Sequence, residues 1–584
     1  MRGPRRSTAL TLLAVGVLLL TVVAPLLGLL STSLRITEAV LASGKALRVA
    51  GSVTREDGLV RFQVAPAENP DGDLVPVALA EDAVTIRERW SAVRYAEIWT
   101  SPRTLGLLWN SLVVAAGGAL LALAIGWPVG WAVSRTRLPG RRLWVVLLAG
   151  PLLLPPFFAA MGVSTSVGRA LEALGLTGGA LQMGNAIVVF AGLLFPIPAV
   201  LVGRALAGVP AGLVEAARIA AGPATAAWRV VLPAVLPAAL AGTTFAFVTA
   251  LCDFAVPDIL GTFLTGGAVP VHVFATEVFL QWTKYGNAGR AVATGAPFVV
   301  VVLALLTLTA RWARHSPAGT VGGAWRPRPL TRLGPLGTAL ALALVLGALV
   351  LGLGLPVASV VGWGFSPWRV PETIRATAGV AEDAGRWLAL ALSTTLVATA
   401  AGVAIARLGL RGGRAGRFVA ATAVALPLAV PGMVLMVGTL LLWVPVPASP
   451  NALWKGVLVL TGRTLPWAVL AATLALREAD PGLEEAARLS GASRWTLAKR
   501  VWGPLAARGI VLSGLLVLVL ALRELDAVQL IVPGLLPVRI YDKVHFGRTA
   551  DVADLSMAYL AILLVPALLA VLVRPRRGEA PPQG

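Results

Sequence analysis

Charge, sulfur and imidazole are all scarce in this sequence. Only 13% of its 584 residues are charged while 57% are hydrophobic, a balance that polar surface cannot cover in a water-soluble protein of this size. A lone cysteine, Cys252, excludes an intrachain disulfide. Three scattered histidines, His272, His315 and His545, offer no cluster with metal-ligand spacing, so neither a metal nor another cofactor is expected. Acids are outnumbered by bases, 28 to 49. The bases lie in short segments between apolar runs and not on one soluble face, which argues against a nucleic-acid partner. No stretch matches the GxxxxGK[ST] phosphate loop, which excludes the chain as its own nucleotide hydrolase.

What fills the sequence instead is apolar helix, in runs long enough to cross about 30 Å of hydrocarbon. Twelve spans are expected: 8–30, 106–133, 144–163, 186–206, 232–253, 292–312, 336–361, 387–406, 418–443, 456–476, 505–525 and 556–573. The first follows Arg2, Arg5 and Arg6 but is longer than an ordinary signal-peptide core, and is read as a retained helix. Short Arg-rich loops stay in the cytoplasm because cationic groups resist translocation. Arg135, Arg137, Arg141 and Arg142 mark one such loop, Arg311, Arg314, Arg326, Arg328 and Arg332 a second, Arg407, Arg411, Arg414 and Arg417 a third, and Arg574, Arg576 and Arg577 the tail. An even number of spans then puts both termini in the cytoplasm, in a multi-pass protein of the cell (inner) membrane.

The chain repeats itself. Pro151 and Pro155 in the third span are answered by Pro427 and Pro431 in the ninth, VEAAR at Glu215 by EEAAR at Glu485, Leu232-Pro233 by Pro504, and PVHVF at 270–274 by PVRIY at 537–541. The order is kept and each match recurs about 270 residues on, the mark of a tandem duplication. Segment 32–104 breaks the symmetry. Its alternating stretches LVRFQV and AVTIR, bounded by Gly, Pro and Asp, predict a small β-rich insert outside the membrane.

Each half also carries a charged Ala-Ala segment in a loop about 20 residues before a span, a place suited to a partner and not to lipid. In the second copy Asp480 caps a helix, Pro481 suits its first turn, and Glu484 and Glu485 complement the positive end of its dipole. Ala486 and Ala487 let another surface approach closely, and Gly491 permits a sharp bend. The first copy supplies Glu215, Ala216 and Ala217, with its glycine, Gly222, one place late. A single stretch of this kind reads as an ordinary amphipathic loop helix; two at matching positions favour a docking element.

EAARLSGASRWTLAKRVWGP and EAARIAAGPATAAWRVVLP resemble the EAA signature of binding-protein-dependent ATP-binding-cassette permeases. The resemblance implies an all-α polytopic membrane protein of about twelve transmembrane helices. These form two tandem six-helix halves of the type I importer permease fold, with the β-rich insert outside the membrane. It implies a transport subunit and not an enzyme, whose EAA loops dock into a dimer of separate ATPase subunits and which receives its solute from an extracytoplasmic binding protein. The expected division is 1–31 first membrane helix, 32–104 extracytoplasmic insert, 105–312 first permease domain, 313–335 cytoplasmic linker, 336–386 membrane helix and outer loop, 387–575 second permease domain and 576–584 cytoplasmic tail.

Arg463 lies inside the tenth span, where an arginine is costly unless it faces a cavity or a partner. Asp253 and Glu524 each follow their span-opening proline by one membrane thickness and are expected near equivalent outer mouths. With Asp526 these groups either line the solute's route or, in the plainer alternative, serve structure, with Arg463 bridging one carboxylate to hold the bundle. LRELDAVQLIVPG with VRIYDKVHFGR, and LCDFAVPDILG with VFATEVFLQW, resemble parts of fused ferric-iron permeases, with thiamine and phosphonate importers as near relatives. That resemblance implies ferric iron as solute, with thiamine, phosphonate or polyamine as alternatives. A gradient-driven secondary transporter would not require two EAA loops, and a polytopic enzyme should show carboxylate or histidine constellations that segment 32–104 lacks.

Overall fold

The computed structural model describes residues 15–573 apart from 44–45, 50–52, 57–58, 65–74, 266–271, 315–329, 378, 444–452, 478–486, 488, 494–495, 497–502, 533 and 548. Among the described residues nine helices are long and apolar enough to span a membrane, and three bent helix pairs bring the number to twelve. In chain order they fall on the twelve expected runs, from Val15–Leu34 and Pro102–Arg135 to Ala506–Arg523 and Ala550–Ala570.

The duplicated prolines set the sharpest bends. The third span, Arg141–Leu153 with Pro156–Ser164, turns by 94°, and the ninth, Gly413–Ala429 with Gly432–Trp443, by 104°. Leu154 is extended because the ring of Pro155 disfavours the helical region for the residue before it, so the ladder stops there. The fourth span, Gly178–Leu194 with Pro196–Gly208, bends by 44° at Pro196.

A second proline device recurs three times. π-Helical turns at Leu19–Val23, Ala227–Val231 and Val350–Gly354 are each followed at once by X-Pro, namely Ala24-Pro25, Leu232-Pro233 and Leu355-Pro356. Proline lacks an N–H and crowds the carbonyl four residues back. The ladder answers by widening for one turn: the Ala24 N–H bonds the Leu19 carbonyl and the Leu355 N–H the Val350 carbonyl. The first and seventh spans thus carry the same bulge and the same proline.

Small residues decide which helices touch. On the second span Gly118, Ala122, Gly126 and Gly130 share a stripe at four-residue spacing, which lets backbones close without lipid between them. A Cβ on Gly126 would sit 2.7 Å from the Phe195 carbonyl oxygen, and one on Gly130 would sit 2.4 Å from that of Ala199. In the second half a Cβ on Gly402 of Val380–Arg411 would lie 2.6 Å from that of Ala468 on Leu453–Arg477.

Among the described residues the insert has six strands: β1 (Arg35–Leu41), β2 (Ala46–Arg48), β3 (Thr54–Glu56), β4 (Leu59–Val64), β5 (Val75–Ala80) and β6 (Val84–Trp90). They form two antiparallel three-stranded sheets, ordered β2-β1-β6 and β3-β4-β5. Ala39, Val49, Val60, Phe62 and Val84 make their core. Arg94, on the short helix Val93–Thr100, fastens the insert to the first span by donating to the carbonyls of Thr32, Ser33 and Arg35 at 3.2, 3.2 and 2.7 Å. Its guanidinium caps a helix end whose carbonyls lack intrahelical partners.

The chain divides into two compact units. One contains the described residues up to Pro25 with Trp363–Leu428 and those from Leu442 on, and the other Leu26–Gly362 with Ala429–Leu441. Within the first, the π-turn Leu19–Val23 packs on the tenth span. Within the second, the seventh span packs on the third and fourth, where Gly352 comes so close to Gly192 that a Cβ would lie 2.2 Å from its carbonyl oxygen.

Candidate functional site

The first EAA segment is a helix, Ala211–Ala226, that begins after the extended Pro210. Val214 is buried among Val202, Leu206, Val209, Ala226, Val235 and Ala239, and Ala217 packs on the same cluster. Anchored by those two, the helix exposes Glu215 and Ala216. Gly222 sits at φ 82, ψ 170, a conformation only glycine adopts readily, and Pro223 opens the next helical turn. The helix is thereby split beside the fifth span.

In the second copy Glu485 and Ala486 lie outside the described residues. Ala487 is half-buried, and its carbonyl accepts the Ala492 N–H at 3.0 Å across Gly491, which stands at φ 78. The Ser493 hydroxyl then accepts the Thr496 N–H at 3.1 Å. Both copies therefore place a positive-φ glycine within a few residues after their double alanine.

Two residues escaped the sequence reading. Ile219 is 87% exposed and Leu489 85%, each four places after the glutamate of its copy. Large apolar side chains this bare at one repeated position mark a contact surface. The signal was present as I and L in EAARI and EAARL, but exposure is what gives it meaning.

The charged groups of the spans sort differently. Arg463 and Glu524 meet, with Nε 3.7 Å from Oε1 and side chains about one-fifth exposed. The pair joins the tenth span to the residue just after Arg523, the end of the eleventh. Asp526 is buried in the turn after the eleventh span. Asp253, in the other unit, is buried two residues beyond Leu232–Leu251, and its Oδ1 accepts the Val256 N–H at 2.9 Å to cap Ala255–Thr265.

Three further clusters were not foreseen. Fully buried Asp554 accepts from Arg369 Nε at 2.7 Å, Thr373 Oγ1 at 3.0 Å and the Ser366 N–H at 2.9 Å, and its hydrogen bond raises the Arg369 pKa above the usual arginine value. Arg103 pairs with Glu277 at 3.3 Å, and Glu277 also accepts from Gln281 at 2.7 Å. Arg539 pairs with Asp383. Among the described residues no group of three His, Cys, Asp or Glu is placed to hold a metal ion.

Residues 395–576 match the family of binding-protein-dependent transport system inner membrane components. The molybdenum transport system permease protein ModB of Mycobacterium bovis is 30% identical over 256 residues, covering 42% of this chain and 92% of that protein. ModB of Escherichia coli K12 is 31% identical over 165 residues, 27% of this chain and 71% of its own length. A probable molybdenum ABC transporter permease of Haloferax volcanii is 33% identical over 201 residues, 34% of this chain and 70% of its own. These relatives are named for molybdenum, whereas the sequence resemblance had implied ferric iron.

Proposed function

The chain belongs to the binding-protein-dependent ABC transporter permeases, and on that premise we propose that it couples to its ATPase through its two glycine-containing EAA segments, the one at Glu215 and the one at Glu485. It is a multi-pass transport component and not an enzyme; the family works with a separate ATPase and a binding protein. The observation that carries the coupling assignment is the repeated bend at Gly222 and Gly491 with an exposed apolar side chain just before it, Ile219 or Leu489. A bare isoleucine or leucine suits an apolar cleft on a partner, and the neighbouring glutamate fixes orientation through charge. Nucleotide-driven movement then enters each half through its EAA segment and alternates access to a passage.

We assign Arg463 and Glu524 to that passage, and the solute to molybdenum. In neutral water molybdenum is a tetrahedral oxyanion, for which the Arg463 guanidinium is a fitting donor, with Glu524 holding it when no anion is present. Ferric iron stays the second reading, favoured by the outer-mouth segments and by the carboxylates of Glu524 and Asp526.

The test substitutes Ile219→Asp with Leu489→Asp, and separately Glu215→Lys with Glu485→Lys. Either pair should cut ATPase co-purification and ATP-dependent uptake at least about tenfold, the equivalent of about 1.4 kcal/mol of lost association. Unchanged uptake removes the coupling assignment. Competing radiolabelled molybdate and ferric complexes against one another in the assembled importer decides the solute.

A further inference from the structure

Two tryptophans stand where the insert meets the spans, and both are bare. Trp90 is 60% exposed and Trp99 51%. Strand register places the first: Trp90 pairs with Arg35, the residue next after Leu34, where the first span ends. Chain position places the second: Trp99 lies three residues before Pro102, where the second span begins. Each indole thus lies beside the end of a helix long enough to span. The apolar surface continues into the second span through Leu105, 45% exposed, and Trp109, 68% exposed, one helical turn apart on the same face.

A cation accompanies the first. The Arg35 guanidinium lies 5.1 Å from the centre of the Trp90 ring, on the face of the sheet that also carries exposed Glu88, while Arg87 and Arg89 are exposed on the other face of β6. An indole in this zone buries its ring among acyl chains with its N–H among headgroups, and arginines beside it reach phosphate.

We propose that this foot of the insert is a lipid-binding surface seated in the headgroup layer, with Trp90 and Trp99 as anchors and Arg35, over the Trp90 ring, as ligand for phospholipid phosphate. The far end of the same sheet stands clear of the membrane. From Arg35 to Leu41, the seven residues of β1 rise about 20 Å, and Asp82 in the turn beyond, Glu81–Ala83, is exposed.

Single labelling sites test this in the full chain. Trp90→Cys, Trp99→Cys and Asp82→Cys, each with Cys252→Ser, carry a nitroxide in nanodiscs of phosphatidylethanolamine and phosphatidylglycerol, where collisions with oxygen and with a water-soluble nickel chelate are compared. Labels at 90 and 99 should favour oxygen, and the label at 82 nickel. A nickel preference at either 90 or 99 overturns the proposal and leaves the foot as surface open to protein. Monodisperse elution of each variant, required before labelling, keeps misfolding from passing as either result.

Discussion

A carboxylate sealed in a helical bundle is tolerated only when its lone pairs are met, and Asp554 meets three donors from the outer segment before the eighth span. Asp554→Ala leaves the Thr373 hydroxyl and the Ser366 N–H without their acceptor, while Arg369, 37% exposed, turns to water, and is expected to cost about 1–3 kcal/mol. The thermal midpoint in detergent should drop accordingly; an unchanged midpoint would show that the cluster contributes nothing. Gly222→Ala forces a Cβ into a backbone region reserved for glycine, at about 1–3 kcal/mol. Gly212→Ala meets nothing within 4 Å and has no positive φ, so ATPase co-purification should fall in the first variant and hold in the second. Glu215, Gly222 and Gly491 were legible because a motif repeats them within a few residues. Asp554 and Arg369 were not, since 185 residues separate them and only folding brings a lone aspartate and a lone arginine into contact.

Helices in a bilayer gain little from apolar burial against each other, so close backbone approach must supply the contact. Gly130→Ala should therefore disrupt the seat of the second span on the fourth, at about 1–3 kcal/mol, because the atom it meets is a backbone oxygen with nowhere to go. Gly106→Ala, on the same helix with open space around it, should be neutral or gain up to about 1 kcal/mol from helix propensity. Detergent stability of the two variants side by side is the measurement, and equal behaviour would remove close packing as the cause. All twelve spans were legible, because hydrocarbon thickness imposes a length that the sequence must honour. So were the breaks near Pro155 and Pro431, and β4 and β6 in LVRFQV and AVTIR. The remaining four strands are short or lack clean alternation, and only sheet pairing reveals them. The π-turns were missed because nothing in composition separates LLTVV before Ala24-Pro25 from straight helix; the register shift appears only in the ladder.

Duplication governs the molecule as a whole, and although two six-helix halves imply that the first and seventh spans correspond, no residue match ties them in the sequence, because the insert pushes their spacing away from that of the other matches. The shared bulge and proline tie them: Leu19–Val23 with Pro25 corresponds to Val350–Gly354 with Pro356. If each half begins with this span, each has six, and an even total returns the chain to the side on which it started. The arginine-rich loops choose that side, since Arg137, Arg141, Arg411 and Arg414 resist translocation, and the insert, one span removed from the amino terminus, must face the opposite compartment. The prediction needs two positions in a Cys252→Ser chain. In intact cells a membrane-impermeant maleimide should label Asp82→Cys and leave Arg411→Cys untouched, while in inverted vesicles the pattern should reverse. Labelling of both positions from one side would mean an odd number of crossings between the insert and the eighth span's inner end had been misassigned, and the two-by-six arrangement with cytoplasmic termini would have to be abandoned.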